Sequence, residues 1–335
     1  LEFNAKQHNR FRAAFKKYLS TNNITIYYKT ATEKRIAFTD EQKVIANKIQ
    51  KATSYEDTTH IYSTDEVSTI FDVTAMADIQ KVLNITKGDM IQMFDSIYSD
   101  TEKEPWKWVE DFLSDYIVDE ELEYIQMYHL SRRLDGTDIH VNQNLKQLLL
   151  ESSPLSMFFR KYKVTFTDNE GHIDMYYKGM IQPLHNEYLY DRGNMYYLRS
   201  RLSYNKVQDF CVNGFVFRSH LEQNSYFSTL AYCPELVQNI EWLLNIDGMA
   251  REYYENSKYY CIEYLIPLSE VIFDMNYPPD SIQEKTRVFL EKAILRLYDN
   301  WRDGSFVCDD NLILRLSDDA EIKPEWFVNA EQLNY

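Results

Sequence analysis

Glycine and proline are scarce, eight of each in 335 residues. So few glycines leave no room for a Gly-rich phosphate cradle, and neither GxxxxGK[ST] nor G-x-S-x-G occurs. P-loop nucleotide enzymes and nucleophile-elbow hydrolases are thereby set aside. Cysteine is sparse as well: Cys211, Cys233, Cys261 and Cys308 lie far apart without CxxC spacing, and they read as buried free thiols rather than disulfides. The seven histidines show no HExxH or HxxxH pattern, which argues against zinc. Acidic pairs such as Asp309-Asp310 and Asp318-Asp319 could meet a hard cation, but they read first as turns. No run approaches the roughly 20 apolar residues of a membrane span, so no membrane partner is expected. A cytoplasmic location follows, although a chain beginning at Leu1 rather than Met leaves a preceding targeting segment open.

What is present is ordinary globular material, 44% apolar and 26% charged, in a length that suits two domains. The net charge of −16 conceals an asymmetry. Residues 1–52 carry eleven Lys/Arg against four Asp/Glu, or +7, leaving 25 against 48, or −23, for the rest. The basic segment either meets nucleic acid or another acidic surface, or folds against the acidic body of its own chain.

Periodicity places helices at Phe11–Leu19, after Thr39 with Gln42 as a capping box, and at 66–83 and 89–98. Another begins at Pro105 and carries Val109, Phe112, Leu113 and Tyr116. A short strand is expected at Ile24–Tyr28. The acidic run 111–123 reads as a solvated helix face. Near residue 118 the texture turns to strand formers, giving a mainly helical region 1–118 and an α+β domain 119–335 with a mixed, mainly antiparallel sheet.

In that domain, Lys163–Thr167 and Ile173–Tyr177 form a hairpin around Asp168-Asn169-Glu170-Gly171. Strands are expected at Met195–Leu202, Phe215–Phe217, Tyr226–Tyr232 and Tyr259–Pro267. Helices are expected at Asn144–Leu150, after Pro234 with Leu236, Ile240, Leu243 and Leu244 buried, and at 282–301. The last has Ser281 and Glu284 as a capping box and Gly304 as its stop. Ser305–Cys308 and Leu312–Leu316 suggest a second hairpin.

Arg133-x6-His140 has the residue types of a ribonuclease pair, with His as general base and Arg on the phosphate, although Asp135-Gly136-Thr137-Asp138 between them reads as a turn. A wider constellation is Arg199 and Arg201 in MYYLRSRL, Ser228 and Thr229 in SYFSTLAY, and Glu263 in YYCIEYLIP. Taken as three strands in that order, they resemble the Arg-Ser-Glu layout of ADP-ribosyltransferases. The resemblance implies that Arg199 grips the phosphates of NAD, Ser228 and Thr229 brace the nicotinamide pocket, and Glu263 acts at the ribose. The underlying charge complementarity is sound. A second frame in the same superfamily starts from Tyr128-His129-Leu130 and the helix 144–150, with His129 touching the nicotinamide ribose. Cys261 stands where arginine-modifying members carry Glu or Gln, so arginine is not the expected acceptor.

Two functions follow. One is an NAD-dependent ADP-ribosyltransferase-like toxin or antiviral defence effector acting on a macromolecule, with nucleic acid as a candidate target of residues 1–52. The other is a non-enzymatic acidic inhibitor or adaptor that binds a basic protein partner. The first needs Arg199, Ser228 and Glu263 in one cleft, and the second does not.

Overall fold

The computed structural model describes residues 61–62, 83, 85–115, 122–185, 194–204, 209–218, 221–303 and 311–334. The helices expected at 11–19, after Thr39 and over most of 66–83, and the strand at 24–28, lie outside these residues. So do Tyr116, Gly304, Cys308 and Asp309-Asp310.

After the short strand β1 (Ile61–Tyr62), helix α1 (Lys87–Ser99) begins at a capping box: the Thr86 hydroxyl accepts from Asp89 N, and the Asp89 carboxylate accepts from Thr86 N at 2.7 Å. Helix α2 (Pro105–Ser114) starts on its proline as expected and buries Val109 and Leu113. Strand β2 (Tyr124–Leu134) follows. Helix α3 (Leu145–Leu150) is capped by Asn144, and α4 (Pro154–Lys161) by Ser153.

The expected hairpin is present as β3 (Val164–Asn169) and β4 (His172–Tyr177), with β5 (Met180–Ile181) as its third strand. Its turn is Glu170-Gly171, both at positive φ (39° and 101°), the geometry that matches the twist of a two-residue hairpin. Helix α5 (Asn194–Arg201) and strand β6 (Asn213–Phe215) come next. Helices α6 (Ser225–Tyr232), α7 (Glu235–Leu244) and α8 (Met249–Glu255) lead to β7 (Ser257–Pro267) and β8 (Ile272–Phe273). The long α9 (Ile282–Asp303) starts at the Ser281/Glu284 box, and β9 (Ile313–Arg315) and β10 (Phe327–Leu333) complete the described chain.

The main sheet runs β10-β7-β2-β6-β9-β8, all antiparallel, with β1 pairing β2 in parallel. The expected α+β class with mixed, mainly antiparallel sheets is what the fold shows. Its spine is the β2–β7 ladder, from Tyr124 opposite Pro267 to Leu134 opposite Ser257. Side chains alternate between faces along each strand, so this register fixes two surfaces. Met127, Ile262, Tyr264 and Ile266 enter one core with Leu314, Leu290, Ile294 and Leu297 of α9, and Phe94, Val109 and Leu113 of α1 and α2. That core spans the boundary expected near residue 118. Tyr128, Leu130, Tyr259 and Cys261 face the other way, under Phe227 and Ala231 of α6. A separate core joins the β3–β4 hairpin to α4, α5, α7 and α8 through Phe159, Met175, Leu198, Val237 and Tyr253.

Two expected strands are helices. Residues 195–201 lie in α5, because Met195, Leu198 and Leu202, just past its end, recur at i, i+3 and i+7 and all three are buried, while Tyr196 and Tyr197 are exposed. Residues 226–232 form α6, capped by Asn224, whose Oδ1 accepts from Tyr226 N at 2.9 Å; Phe227 and Ala231, four apart, are its buried face. In both segments adjacent aromatic rings mimic strand composition, and the buried spacing decides otherwise. Strand β6 also ends earlier than expected. Val216 and Phe217 leave the ladder, where Asn311 Oδ1 accepts from Phe217 N at 3.0 Å and its Nδ2 donates to Phe217 O at 2.6 Å. Strand β9 pairs with β6 and β8 rather than closing a described hairpin with 305–308, which are outside the described residues.

Candidate functional site

Only one member of the Arg-Ser-Glu set stands on a strand. Glu263 lies in β7 directly opposite Tyr128, and its carboxylate accepts from Gln126 Nε2 at 2.5 Å. Arg199 is on α5 and only 4% exposed. Ser228 and Thr229 are on the exposed side of α6, and both hydroxyls donate back to Ser225 O, at 3.2 and 3.1 Å. His129 is opposite Ile262, one position from the Tyr128–Glu263 pair, so it projects from the face of the sheet opposite to Glu263. The ladder register therefore places His129 and Glu263 on opposite faces of the sheet.

The adjacent Arg132 and Arg133 show what the same alternation does to two guanidinium groups. Arg132 is fully engaged: Nε donates to Ser257 Oγ (2.9 Å), Nη1 to Ala231 O (2.6 Å), and Nη2 to Tyr254 O (3.0 Å) and Ser257 O (3.2 Å), with its guanidinium 4.1 Å from the Tyr254 ring centre. It ties the end of α6 and the end of α8 to the sheet. Arg133, on the other face, is 9% exposed, and among the described residues its one hydrogen bond runs from Nη2 to Asn142 Oδ1. Among the described residues its Nε has no partner and no carboxylate pairs with it. Burial lowers the Arg133 pKa from its ordinary value, and the Tyr264 and Tyr253 hydroxyls only partly oppose this.

Three further groups interact with it, Asn142 by that hydrogen bond and His129 and Tyr264 electrostatically. His129 Nδ1 lies 2.6 Å from Asn213 O, and because a carbonyl can only accept, this nitrogen carries the proton. The other ring nitrogen, Nε2, is then an acceptor. Burial and the Arg133 charge push the His129 pKa down to about 4, so the ring is neutral at physiological pH. The Tyr264 hydroxyl is buried without a partner among the described residues, and burial holds its proton on well above the ordinary tyrosine range. Each buried donor left unpaired in this way costs about 1–3 kcal/mol. Asn142, 2% exposed, is fixed by a bridge to Ile322 and by Nδ2 donating to Ile139 O at 3.2 Å. At the rim, the His140 ring packs 4.4 Å from Phe327, which meets Tyr264 at 6.3 Å.

Arg133 and His140 thus flank one region, but not as the acid–base pair the spacing suggested. His140, in an exposed turn, meets the Phe327 ring edge-on, and Arg133 bonds to Asn142. The cluster combines cationic and neutral donors with one imidazole acceptor. Among the described residues no group of three or more His, Cys, Asp or Glu is arranged to hold a metal ion, and no helix is long and apolar enough to cross a membrane.

A second polar cluster is structural in character. Asp174 accepts from Tyr204 OH (2.6 Å) and Asn169 Nδ2 (2.8 Å), with His172 Nε2 at 3.2 Å. It clamps the β3–β4 hairpin to the chain leaving α5, with its carboxylate already saturated.

No protein-family model matches the chain, and no curated protein and no solved structure is significantly similar to it.

Proposed function

We propose that the protein acts by binding, as an acidic interaction protein that meets a basic protein partner. The observation that carries this is the surface of α1 and α2. Asp95, Glu102, Glu104, Glu110, Asp111 and Asp115 are all exposed there, with Lys103 and Lys107 among them. Both lysines are engaged: Lys103 pairs with Asp111 at 2.6 Å and lies 4.0 Å from the Trp108 ring centre, and Lys107 lies 5.2 Å from that of Trp106. Tyr98 (64% exposed) and Trp106 (46% exposed) add large rings to the same pair of helices. Exposed carboxylates steer a cationic partner, and aromatic rings give it desolvated anchors and cation–π contacts. The −23 balance after residue 52 extends the same field over the rest of the chain.

The test is fluorescence anisotropy of a labelled lysine-rich peptide carrying one tryptophan, titrated with the full chain at rising salt. Expected is salt-sensitive binding that is lost in the Glu110→Lys, Asp111→Lys, Asp115→Lys triple variant and weakened in Trp106→Ala. Binding that survives both substitutions unchanged would remove α2 as the contact surface.

One observation favours a second reading, transfer of ADP-ribose from NAD to a macromolecule. Glu263 is a half-buried carboxylate oriented by Gln126, as a group acting on a ribose would need to be. Labelled NAD incubated with lysate, comparing wild type with Glu263→Gln, decides it. Label transfer abolished by that substitution would establish the transferase, and no transfer by the folded wild type would end the reading.

A further inference from the structure

The turn from α1 to α2 seats a lysine on a tryptophan. Trp108 and Asp111 are three positions apart on α2, so ring and carboxylate lie on one side of the helix. Trp108 is held in two ways: its indole Nε1 donates to Asp100 Oδ2 at 3.2 Å, and its ring packs against the core shared by α1, α2 and α9. Asp100 also accepts from Glu102 N (3.0 Å) and Lys103 N (3.2 Å), which fixes the short connection between the two helices. From there the Lys103 ammonium lies 4.0 Å from the Trp108 ring centre and 2.6 Å from Asp111 Oδ2. An aromatic face and a carboxylate at those distances are what recognise a primary ammonium: the ring quadrupole attracts the charge, and the carboxylate accepts an N–H. Lys103 is only weakly held. The Asp111 side chain is 69% exposed and that of Lys103 28%, and exposed ion pairs and cation–π contacts each contribute little.

We propose that Trp108 and Asp111 form the receptor for a lysine side chain of the basic partner, and that Lys103 fills it in the free protein as an internal surrogate. The partner's ammonium takes over the ring face and the hydrogen bond to Asp111, while Lys103 swings into water on its flexible stem. Because the ring is already fixed by Asp100 and the core, the receptor binds without ordering its own tryptophan. Lys103 also sets a threshold. A partner enters only when its other contacts outweigh this one, which turns away cations that merely follow the acidic field. The inference deepens the reading of α1 and α2 as the contact surface and rests on it for the identity of the partner.

Two measurements on the full chain test it. In the first, the indole N–H resonance of Trp108 is followed as n-butylammonium chloride replaces sodium chloride at constant ionic strength. Expected is a saturable shift in Lys103→Ala that is much smaller in wild type and absent in Lys103→Ala/Asp111→Asn. In the second, the labelled lysine-rich peptide is titrated by anisotropy. Lys103→Ala should bind it about fivefold more tightly, as for release of one weak competing contact. The gain should vanish in a Trp108→Leu background, where the charge change is the same but the ring is gone. If Trp108→Leu fails to fold, Lys107→Ala supplies an equal charge change and should give a smaller gain. No butylammonium shift in Lys103→Ala, a gain that persists without the ring, or a gain matched by Lys107→Ala each overturn the proposal. A butylammonium shift without peptide binding by any variant would instead end the reading of α1 and α2 as the partner surface and leave the ammonium receptor standing.

Discussion

Acidification should destabilise the fold through His129, and the effect can be computed from its surroundings. The ring is held neutral in the folded state, with its pKa down at about 4 because of burial and the Arg133 charge, whereas an unfolded histidine titrates near 6.5. Between those values the unfolded chain binds a proton that the folded chain refuses. Stability is therefore retained above about pH 6.5 and lost as pH falls toward 4, at up to about 1.4 kcal/mol per pH unit. At pH 5 the expected loss is about 2 kcal/mol, a large part of a typical 5–15 kcal/mol total. Asp209 acts in the opposite direction, because burial raises its pKa. Wild type alone would therefore mix the two. His129→Asn separates them: the amide nitrogen can replace Nδ1–H as donor to Asn213 O, but it does not titrate. Urea denaturation of both proteins at pH 7.5, 6.5, 5.5 and 5.0 should show the wild type losing ground relative to the variant below pH 6.5. Parallel curves across that range would refute both the half-buried neutral imidazole and the cation beside it.

Gly214 sits where β6 crosses β2, and a Cβ there would meet Tyr128 O and Met127 Cγ, both at 2.7 Å. Because a backbone atom cannot swing aside, Gly214→Ala should cost about 3 kcal/mol, read from the denaturation midpoint. Asn311→Ala strands both Phe217 backbone groups, each bonded to the one buried amide, and should cost a similar 2–4 kcal/mol, or about the desolvation of two buried polar groups. Asp318 accepts from Phe210 N (2.6 Å) and Cys211 N (3.1 Å) and pairs with Arg315, so Asp318→Ala should lower the melting temperature more than Asp319→Ala, whose carboxylate makes none of these bonds.

Much of this architecture can be read from local chemistry. The capping boxes at Ser281/Glu284 and Asn144/Gln147, the proline starts of α2 and α4, and the positive-φ turn of the β3–β4 hairpin are set by neighbours in sequence. Sequence and structure part company where composition and spacing disagree. MYYLRSRL and SYFSTLAY are rich in tyrosine and phenylalanine, yet their buried residues recur every three or four positions. Once those segments are helices, the strand order that suggested an ADP-ribosyltransferase no longer exists as a layout, and what remains is Glu263 alone on its strand. His129 and Arg133 stood out separately in the sequence. Only the β2–β7 register, a contact across more than a hundred residues, brings Tyr264 to them and turns Glu263 away. That register follows from which faces are buried by α6 and α9, and neither helix is adjacent in sequence to β2.

The same ladder sets an order of events during folding. Gln126 and Glu263, partners across the spine, are 137 positions apart. The chain between them builds its own core from the β3–β4 hairpin and helices α4, α5, α7 and α8, largely through shorter-range contacts. Long-range pairing bears the loop-closure cost and is slow, so this intervening unit is expected to condense first and to bring β2 and β7 together as it does. On the ribosome, β2 emerges long before its main partner exists. An eleven-residue strand with an unused edge is then exposed to other chains for the time needed to synthesise everything up to Pro267. Expression yield should accordingly depend more on the integrity of the intervening core than on the spine it delivers.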